Sequence, residues 1–288
     1  MRKPQLIIIS LLAITISSCA LIKTAYNNAP EAMHWWLDDY FDFTEPQDAK
    51  LKPALHTLHH WHRKTQLPIY IDMLEQTKSN LSKDKLEPDT ICATMNAIQD
   101  SVQSIQLEAS PIIVEVAPML SDSQLSYFKK MLENRATKWK AEWLQETREA
   151  QVEARLEKTI DYAEKVYGDL STSQENMLKQ KLMASNYKPE VTYNEILRRN
   201  EDAFTIITAL AQGNLDQSRK QKLVKQGFER LRNSPNSSYQ SYAEQLKLQS
   251  CQMIADLHAT TDQKQKPHAK AWLENFITQF SSLILNKP

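Results

Sequence analysis

Residues 121–167 read SDSQLSYFKKMLENRATKWKAEWLQETREAQVEARLEKTIDYAEKVY, and this stretch decides the fold class. Strong helix formers dominate it, with charged side chains between the apolar ones. The apolar residues recur at helical spacing: Phe128, Leu132, Ala136, Trp139, Trp143, Ala150 and Ala154. Such a stripe is typical of a helix that packs one face against a core or another helix. We therefore predict one helix of over 40 residues, from Ser121 to about Tyr167.

The composition extends this interpretation to the whole chain. Only 3 of the 288 residues are Gly, which supplies the positive φ of hairpin turns and phosphate-binding loops. A β-sandwich, a dinucleotide-binding fold and a P-loop enzyme are therefore disfavoured. Hydrophobic residues make up 41% of the chain, which is enough to fill a core. The sequence predicts an all-α protein, an irregular multi-helix bundle.

Turn signals and helix-start signals divide the chain into further helices around the long one. Their ends carry an uncertainty of several residues. The predicted helices are Pro30 to Phe43, Pro46 to about Leu81 with bends at Pro53 and Pro68, Asp89 to Ala117, Ser171–Asn186, Glu190–Gln212, Asp216–Arg232, Ser238–His258 and Asp262–Leu285.

The N-terminus has the pattern of an export signal. Arg2 and Lys3 precede an apolar run, residues 6–16, that is shorter than the ~20 residues of a membrane-spanning helix. The run ends in ISSC, residues 16–19, which resembles a bacterial lipobox. The resemblance implies cleavage before Cys19 and acylation of that residue, although an ordinary secretory signal with a chance Cys is the alternative.

These expectations define the domains and the compartment. Residues 1–18 are a lipoprotein signal peptide, and residues 19–288 form a helical periplasmic domain with a candidate subdivision near residue 168. Ala20 stands where an Asp would resemble the retention signal of the inner membrane. We therefore expect an outer-membrane protein that is anchored by the acyl chains on Cys19 and faces the periplasm.

Charge and motif content disfavour several functions. Lys+Arg and Asp+Glu each number 35, so the chain lacks the basic surface that nucleic-acid binding requires. The sequence has no G-x-S-x-G segment and no Gly-rich phosphate loop. We expect no enzymatic activity, no cofactor and no nucleic-acid partner.

Cysteine usage fits an oxidising compartment. Once Cys19 is acylated, Cys92 and Cys251 remain, and an even pair in the periplasm is typical of one disulfide. The alternative is two separate buried thiols that act as small apolar residues.

Four segments repeat a Ser or Thr followed three residues later by Gln. This spacing is that of a capping box, in which the hydroxyl and the Gln side chain satisfy backbone N–H groups at a helix start. The pattern also resembles the LTxxQ-motif periplasmic chaperones, and that resemblance implies the binding of unfolded clients on a concave helical face. The pairs are Thr44 with Gln47, Ser121 with Gln124, Ser171 with Gln174 and Thr260 with Gln263.

The densest motif content lies near the predicted mature N-terminus. It comprises YNN at 26–28, WWLDDYFD at 35–42, WHR at 61–63 and LPIY at 67–70. Together these motifs resemble an uncharacterised family of Gram-negative outer-membrane lipoproteins. The resemblance implies a localisation and a helical fold, but no activity.

Side chains of these motifs are the candidate interaction residues. They are Trp35, Trp36, Asp38, Asp39, Tyr40 and Trp61. The aromatic residues of the first helix could lie at the membrane interface or pin that helix into the core, and these residues are Trp35, Trp36, Tyr40 and Phe41. We expect the core, because anionic headgroups would repel Asp38, Asp39 and Asp42.

The histidines of residues 56–62 are a candidate metal site. His56 and His60 are four residues apart, so a helix brings them to one face, where they could bind Zn²⁺ or Cu²⁺. A Glu does not follow the first His, so the motif of zinc proteases is absent. We interpret these histidines as structural or surface residues and predict no native metal site.

Two functions remain in view from the sequence. The first is an interaction or scaffold lipoprotein of the outer membrane, which binds one envelope protein through a compact aromatic surface. The alternative is a chaperone-like holdase, which binds many unfolded envelope proteins weakly.

Overall fold

The computed structural model describes residues 18–285, with side chains from residue 22 onward. The all-α prediction is confirmed, because this range contains only helices, a short 3₁₀ turn and loops. The α-helices are α1 (Ser18–Asn27), α2 (Ala29–Phe41), α3 (Glu45–Asn80), α4 (Pro88–Val116), α5 (Asp122–Trp143), α6 (Arg148–Tyr167), α7 (Thr172–Ala184), α8 (Pro189–Gln212), α9 (Gln217–Arg232), α10 (Ser237–Ala259) and α11 (Gln265–Leu285).

Most of the residues that the N-terminal predictions concern are outside the described range. The signal-peptide prediction falls on residues 1–17, which are outside the described residues, and on Ser18, whose backbone begins α1. The acylation prediction concerns the side chain of Cys19, which is outside them as well. Within residues 18–285, no helix has both the length and the apolar character that crossing a membrane would require.

The prediction of one helix of over 40 residues is wrong, because two helices occupy residues 121–167. Leu144 leaves the helical conformation at φ −95° and ψ 61°. Gln145 Nε2 donates to two carbonyls in the last turn of α5, at 2.9 and 3.1 Å. The hydroxyl of Thr147 then accepts from the backbone N–H of Ala150 and caps α6. The longest described helix is α3, with 36 residues.

Two clusters of buried apolar side chains hold the helices together, and α3 contributes to both. Core A combines α6, α7, α10 and α11 with the end of α3, and core B combines α4, α5, α8 and α9 with the start of α3. Core A contains Leu81, Leu86, Val152, Leu156, Tyr167, Leu178, Leu182, Leu257, Ala269 and Leu273. Core B contains Leu51, Leu55, Val114, Val116, Ala117, Leu120, Leu125, Ile206, Leu210 and Val224.

A disulfide crosslinks two of the helices. It joins Cys92 on α4 to Cys251 on α10, with an S–S distance of 1.97 Å and a Cα–Cα distance of 5.6 Å. The two residues are 159 positions apart in sequence, so the bond closes a long loop that contains both cores in part.

Candidate functional site

Three of the N-terminal motifs meet in one polar cluster between α1 and α3, which we name the anchor clamp. Tyr26 Oη lies 2.9 Å from His62 Nδ1, and Tyr70 Oη lies 3.3 Å from His62 Nε2. Arg63 Nη2 donates to Asn27 Oδ1 at 2.7 Å. The clamp therefore fixes the helix that contains Cys19 onto the longest helix of the protein.

Burial sets the charge state of the clamp. Desolvation lowers the pKa of His62 to about 4, and the neighbouring His59 adds to this effect. Desolvation also raises the pKa of Tyr26 to about 12, although the guanidinium of Arg63, 5.3 Å from the ring centroid, opposes it. Burial likewise lowers the pKa of His59, whose Nε2 is buried without a hydrogen-bond partner among the described residues. The clamp histidines are therefore neutral at pH 7.

The second feature is a surface that we name the aromatic patch. It is formed by Trp35, Trp36 and Tyr40 on α2 together with Arg135 on α5. Trp35 is 71% exposed and Trp36 is 53% exposed, so the expectation that these residues lie in the core is wrong. The ring centroids of Trp36 and Tyr40 are 5.0 Å apart. The guanidinium carbon of Arg135, on α5, lies 4.3 Å from the centroid of Tyr40 and 5.9 Å from that of Trp36.

The helical period explains why the indoles face outward. Pro30 and His34 are buried, and Met33 and Leu37 pack against core B, so these four residues define the inner face of α2. Each residue of an α-helix is rotated by about 100° from the one before it. Trp35 and Trp36 follow His34 by one and two residues, so they point away from this inner face. The sequence alone did not reveal this, because apolar and aromatic residues occupy both faces of α2.

The other candidate interaction residues differ in their environments. Asp38 is half-buried, and its Oδ1 accepts a hydrogen bond from the backbone N–H of Phe43 at 2.8 Å. Asp39 is exposed, and Trp61 is half-buried on α3. Asp38 thus helps to end α2, whereas Asp39 remains available at the surface beside the patch.

A half-buried hydrogen-bonded cluster that sequence reasoning missed supports the inner face of α2. His34 Nε2 lies 2.6 Å from Asp48 Oδ1, and Lys52 Nζ lies 2.7 Å from Asp48 Oδ2. Burial disfavours the charged carboxylate, but the hydrogen bonds from Lys52 and His34 outweigh it and lower the pKa of Asp48. Such a pairing joins residues 14 positions apart, and only the angle between α2 and α3 brings them together.

The two candidate metal ligands, His56 and His60, are both exposed on α3. His56 Nε2 lies 3.4 Å from Glu31 Oε1, and His60 is exposed. Within the part of the chain that the structure describes, no group of three or more His, Cys, Asp or Glu side chains could hold a metal ion. His56, Glu31 and Trp35 instead line a surface cavity of about 320 Å³ next to the aromatic patch.

Capping boxes are present at three of the four repeated segments. In each of them the Gln Oε1 accepts from the backbone N–H of the capping residue at 2.8–3.0 Å. The side chains of Ser121 and Ser171 also accept from the backbone N–H three residues later, at 3.3 Å. The three pairs are Thr44 with Gln47, Ser121 with Gln124 and Ser171 with Gln174.

The assignment of the fourth cap to Thr260 and Gln263 is wrong by two residues. Thr260 Oγ1 donates to the carbonyl of Leu257 at 2.8 Å, so its side chain belongs to the end of α10. The cap of α11 is formed by Asp262 Oδ1, which accepts from Gln265 N at 2.8 Å, and by Gln265 Oε1, which accepts from Asp262 N at 3.2 Å. Asp262 replaces Thr260 because its carboxylate is free of the α10 carbonyls and can accept the N–H groups of the next helix.

The four capping glutamines form two buried pairs, which we name the cap pairs. Gln47 and Gln124 exchange amide hydrogen bonds at 2.8 and 3.0 Å, and Gln174 and Gln265 do so at 2.8 and 3.1 Å. Each Nε2 also donates to a backbone carbonyl two residues before its partner's cap, those of Met119, Asp42, Thr260 and Asp169. The repeated segments thus join helices inside the protein and do not line an open surface.

Comparisons with known proteins give one match. Residues 39–226, more than half of the chain, match a family model described as a family of unknown function (DUF6279). No curated protein and no solved structure matches the chain. The matched region includes the WHR and LPIY motifs, Tyr40 and the first three capping segments.

Proposed function

This chain belongs to the DUF6279 family of unknown function, and from that premise we propose that it is an outer-membrane interaction lipoprotein that holds one envelope protein. In this proposal, acyl chains on Cys19 anchor the chain on the periplasmic side of the membrane. The aromatic patch is the surface that contacts the partner. The family description assigns no activity, so the argument depends on the contacts of this chain alone.

Exposure of the two indoles is the observation that carries the proposal. A 71% exposed Trp35 beside a 53% exposed Trp36 places much apolar area in water. Trp, Tyr and Arg are the residue types that dominate binding energy in protein interfaces, and all three occur in this patch. Because Arg135 lies over both Tyr40 and Trp36, the patch loses little side-chain entropy on binding.

The anchor clamp supports the membrane-proximal part of the proposal. Cys19 belongs to the first turn of α1, a helix of 10 residues that extends about 15 Å. Its far end is held on α3 through Tyr26 and Asn27. A chain acylated at Cys19 would therefore be tethered by a short helix that is fixed to the body, not by a long flexible linker.

Mass spectrometry of the full chain from envelopes tests the anchor. We expect a chain that begins at Cys19 and carries acyl chains, and the Cys19→Ser variant should lack them. An uncleaved N-terminus, or an unmodified Cys19 in the wild-type protein, would contradict the anchor.

Site-specific photocrosslinking in the envelope tests the partner. We expect a crosslinking side chain at position 35 to give one dominant adduct with an envelope protein. The same side chain at Tyr162, which is 67% exposed on α6, is the matched control and should not give that adduct. A lack of adducts at position 35, or the same adducts from both positions, would overturn the proposal.

One observation favours the second candidate function, a holdase for unfolded envelope proteins. Ile98 and Val102 on α4 are 50% and 47% exposed, and with the half-buried Ile105 they continue along one face of the helix. Weak binding of many clients needs such an apolar surface.

An aggregation assay separates the two functions. Without ATP, a holdase should suppress light scattering by a denatured client at near-stoichiometric ratio. The double substitution Ile98→Ser and Val102→Ser should abolish suppression, whereas Trp35→Ala with Trp36→Ala should leave it intact. An absence of suppression across several clients would leave the interaction lipoprotein as the supported function.

A further inference from the structure

Arg155 is a half-buried cation for which the described residues supply no carboxylate partner. Its Nη1 atom is buried and has no hydrogen-bond partner among the described residues. Its guanidinium carbon lies 4.2 Å from the ring centroid of Tyr187, which is a cation–π contact. Desolvation lowers the pKa of Arg155, and nearby Arg148 adds to this effect while Tyr187 opposes it. Because a desolvated charge is normally paired, Arg155 is suited to contact an anionic ligand.

Arg155 lines a cavity between α6, α7 and α10. The cavity has a volume of about 160 Å³, which exceeds the space that one water molecule requires. Its polar lining comprises Arg155, Lys181, Ser185, Gln249, Ser250 and Gln252.

The hydrogen-bond acceptors near this cavity are already engaged by side chains other than Arg155. Arg148 donates to the carbonyls of Leu182, Ser185 and Tyr187 at 2.7–3.3 Å, so the C-terminal end of α7 is satisfied without Arg155. Asp256 forms an ion pair with Lys181 and accepts from Gln252 Nε2 at 2.8 Å.

A count of charges therefore leaves the cavity cationic. Arg155 and Lys181 line the cavity, and Asp256 pairs with Lys181, so the described contacts leave the charge of Arg155 uncompensated. Gln249 Oε1 accepts from the backbone N–H of Asn186, which leaves its amide nitrogen as the end that can donate to a ligand.

We propose that this cavity binds the phosphate group of an anionic ligand, with the guanidinium of Arg155 as its main contact. The planar fork of a guanidinium matches the oxygen atoms of a phosphate and forms two parallel hydrogen bonds with them. Lys181 and the amide of Gln249 lie on the lining of the same cavity and can add hydrogen-bond donors. Both a free phosphate and the headgroup of a phospholipid have this chemistry.

Phosphate titration of the full chain in a non-ionic detergent tests the site. We expect inorganic phosphate to raise the midpoint of thermal unfolding above that in sodium chloride at equal ionic strength. The Arg155→Gln variant should bind phosphate about tenfold more weakly or worse, since it loses charge-assisted hydrogen bonds. Arg219→Gln is the matched control, because Arg219 is an exposed arginine on α9, and its phosphate response should equal that of the wild type.

Reconstituted vesicles distinguish the two sources of phosphate. Wild-type protein in phosphatidylcholine vesicles should gain stability when phosphatidylglycerol is added if the source is a lipid headgroup. That gain should be absent in Arg155→Gln. A response to inorganic phosphate alone assigns the site to a free phosphate.

Two results would overturn the proposal. One is a wild-type protein that responds neither to inorganic phosphate nor to phosphatidylglycerol. The other is an Arg155→Gln protein that folds and retains the full response. The Arg155→Lys variant keeps the charge but not the planar fork, and it is the control for a misfolded Arg155→Gln protein. Its stabilisation by phosphate should be weaker than that of the wild type but not absent.

Discussion

His62 lies between the hydroxyl groups of Tyr26 and Tyr70, and burial holds it in the neutral form. Its pKa is about 4 in the folded protein, against an ordinary value of 6.5. The folded state therefore takes up a proton less readily than the unfolded state. By linkage, the contribution of neutral His62 to the free energy of unfolding is complete above pH 6.5. It decreases as the pH falls through 6.5 towards 4, because the unfolded state then binds a proton that the folded state does not.

We therefore predict that acid weakens the clamp through His62. The free energy of unfolding of the wild-type chain should fall between pH 7.5 and pH 5, and the fall should be smaller in the His62→Gln variant. Chemical denaturation at the two pH values measures both. His60→Gln, a substitution of an exposed His on the same helix, should keep the wild-type pH dependence. Equal pH dependence in His62→Gln and the wild type would contradict this assignment.

The sequence predicts the environment of a residue only where that environment is made by residues close to it in sequence. The capping role of Ser121 and Ser171 follows from three-residue spacing, and the structure contains those bonds. The exposure of Trp35 depends on which face of α2 packs inward, and the pairing of His34 with Asp48 depends on the angle between two helices. Spacing does not distinguish the two faces of α2, which both have apolar residues, and it does not encode the angle, so the expectation for Trp35 was wrong and His34 was missed.

At the scale of helices, the sequence predicted most starts but not the break after Trp143. The break has no Gly or Pro, and two side chains mark it: Gln145 donates to carbonyls at the end of α5, and the hydroxyl of Thr147 accepts from the backbone N–H of Ala150 at the start of α6. The pairing of the capping glutamines was also unpredictable. Gln47 and Gln124 are 77 positions apart, and Gln174 and Gln265 are 91 apart. The capping-box pattern concerns the start of one helix, whereas these contacts connect the starts of two helices that are far apart in sequence.

The cap pairs should stabilise the protein more than isolated helix caps do. Gln174→Ala removes the backbone cap at Ser171, both amide hydrogen bonds between Gln174 and Gln265, and the hydrogen bond that Gln174 donates to the carbonyl of Thr260. We expect a loss of about 2–4 kcal/mol in the free energy of unfolding. Gln180→Ala, at an exposed position of the same helix, should change it by less than about 0.5 kcal/mol.

A double-mutant cycle tests the pairing itself. The combined substitution Gln174→Ala with Gln265→Ala should cost less than the sum of the two single substitutions, because each single substitution already removes the same two amide hydrogen bonds. Additive costs would show that each glutamine acts only as a local cap.

At the scale of the whole molecule, the disulfide links α4 to α10 across a long loop. Replacing Cys92 and Cys251 together with Ala should lower the free energy of unfolding by about 4–5 kcal/mol, because the unfolded chain regains the entropy of that loop. Denaturant unfolding with and without a reductant measures the same difference in the wild-type protein. Alkylation of both thiols in unreduced protein would contradict the bond.

The family match and the folding unit do not coincide. The matched region ends at residue 226, inside α9, yet α10 and α11 supply essential parts of core A. Leu257, Ala269 and Leu273 belong to that core, and Ala269 is completely buried. Gln265 completes the second cap pair, and Cys251 completes the disulfide.

We therefore predict that a chain that ends after Arg232 does not form the native core A. It should lose the cooperative thermal transition of the full chain and bind a dye for exposed apolar surface, because Leu178 and Leu182 on α7 lose the partners on α10 and α11 that bury them. Circular dichroism melting and dye fluorescence measure both effects. A chain that ends after Leu285 is the matched control and should melt like the full chain. Cooperative melting of the shorter chain at an unchanged midpoint would show that core B and α3 fold without the last two helices.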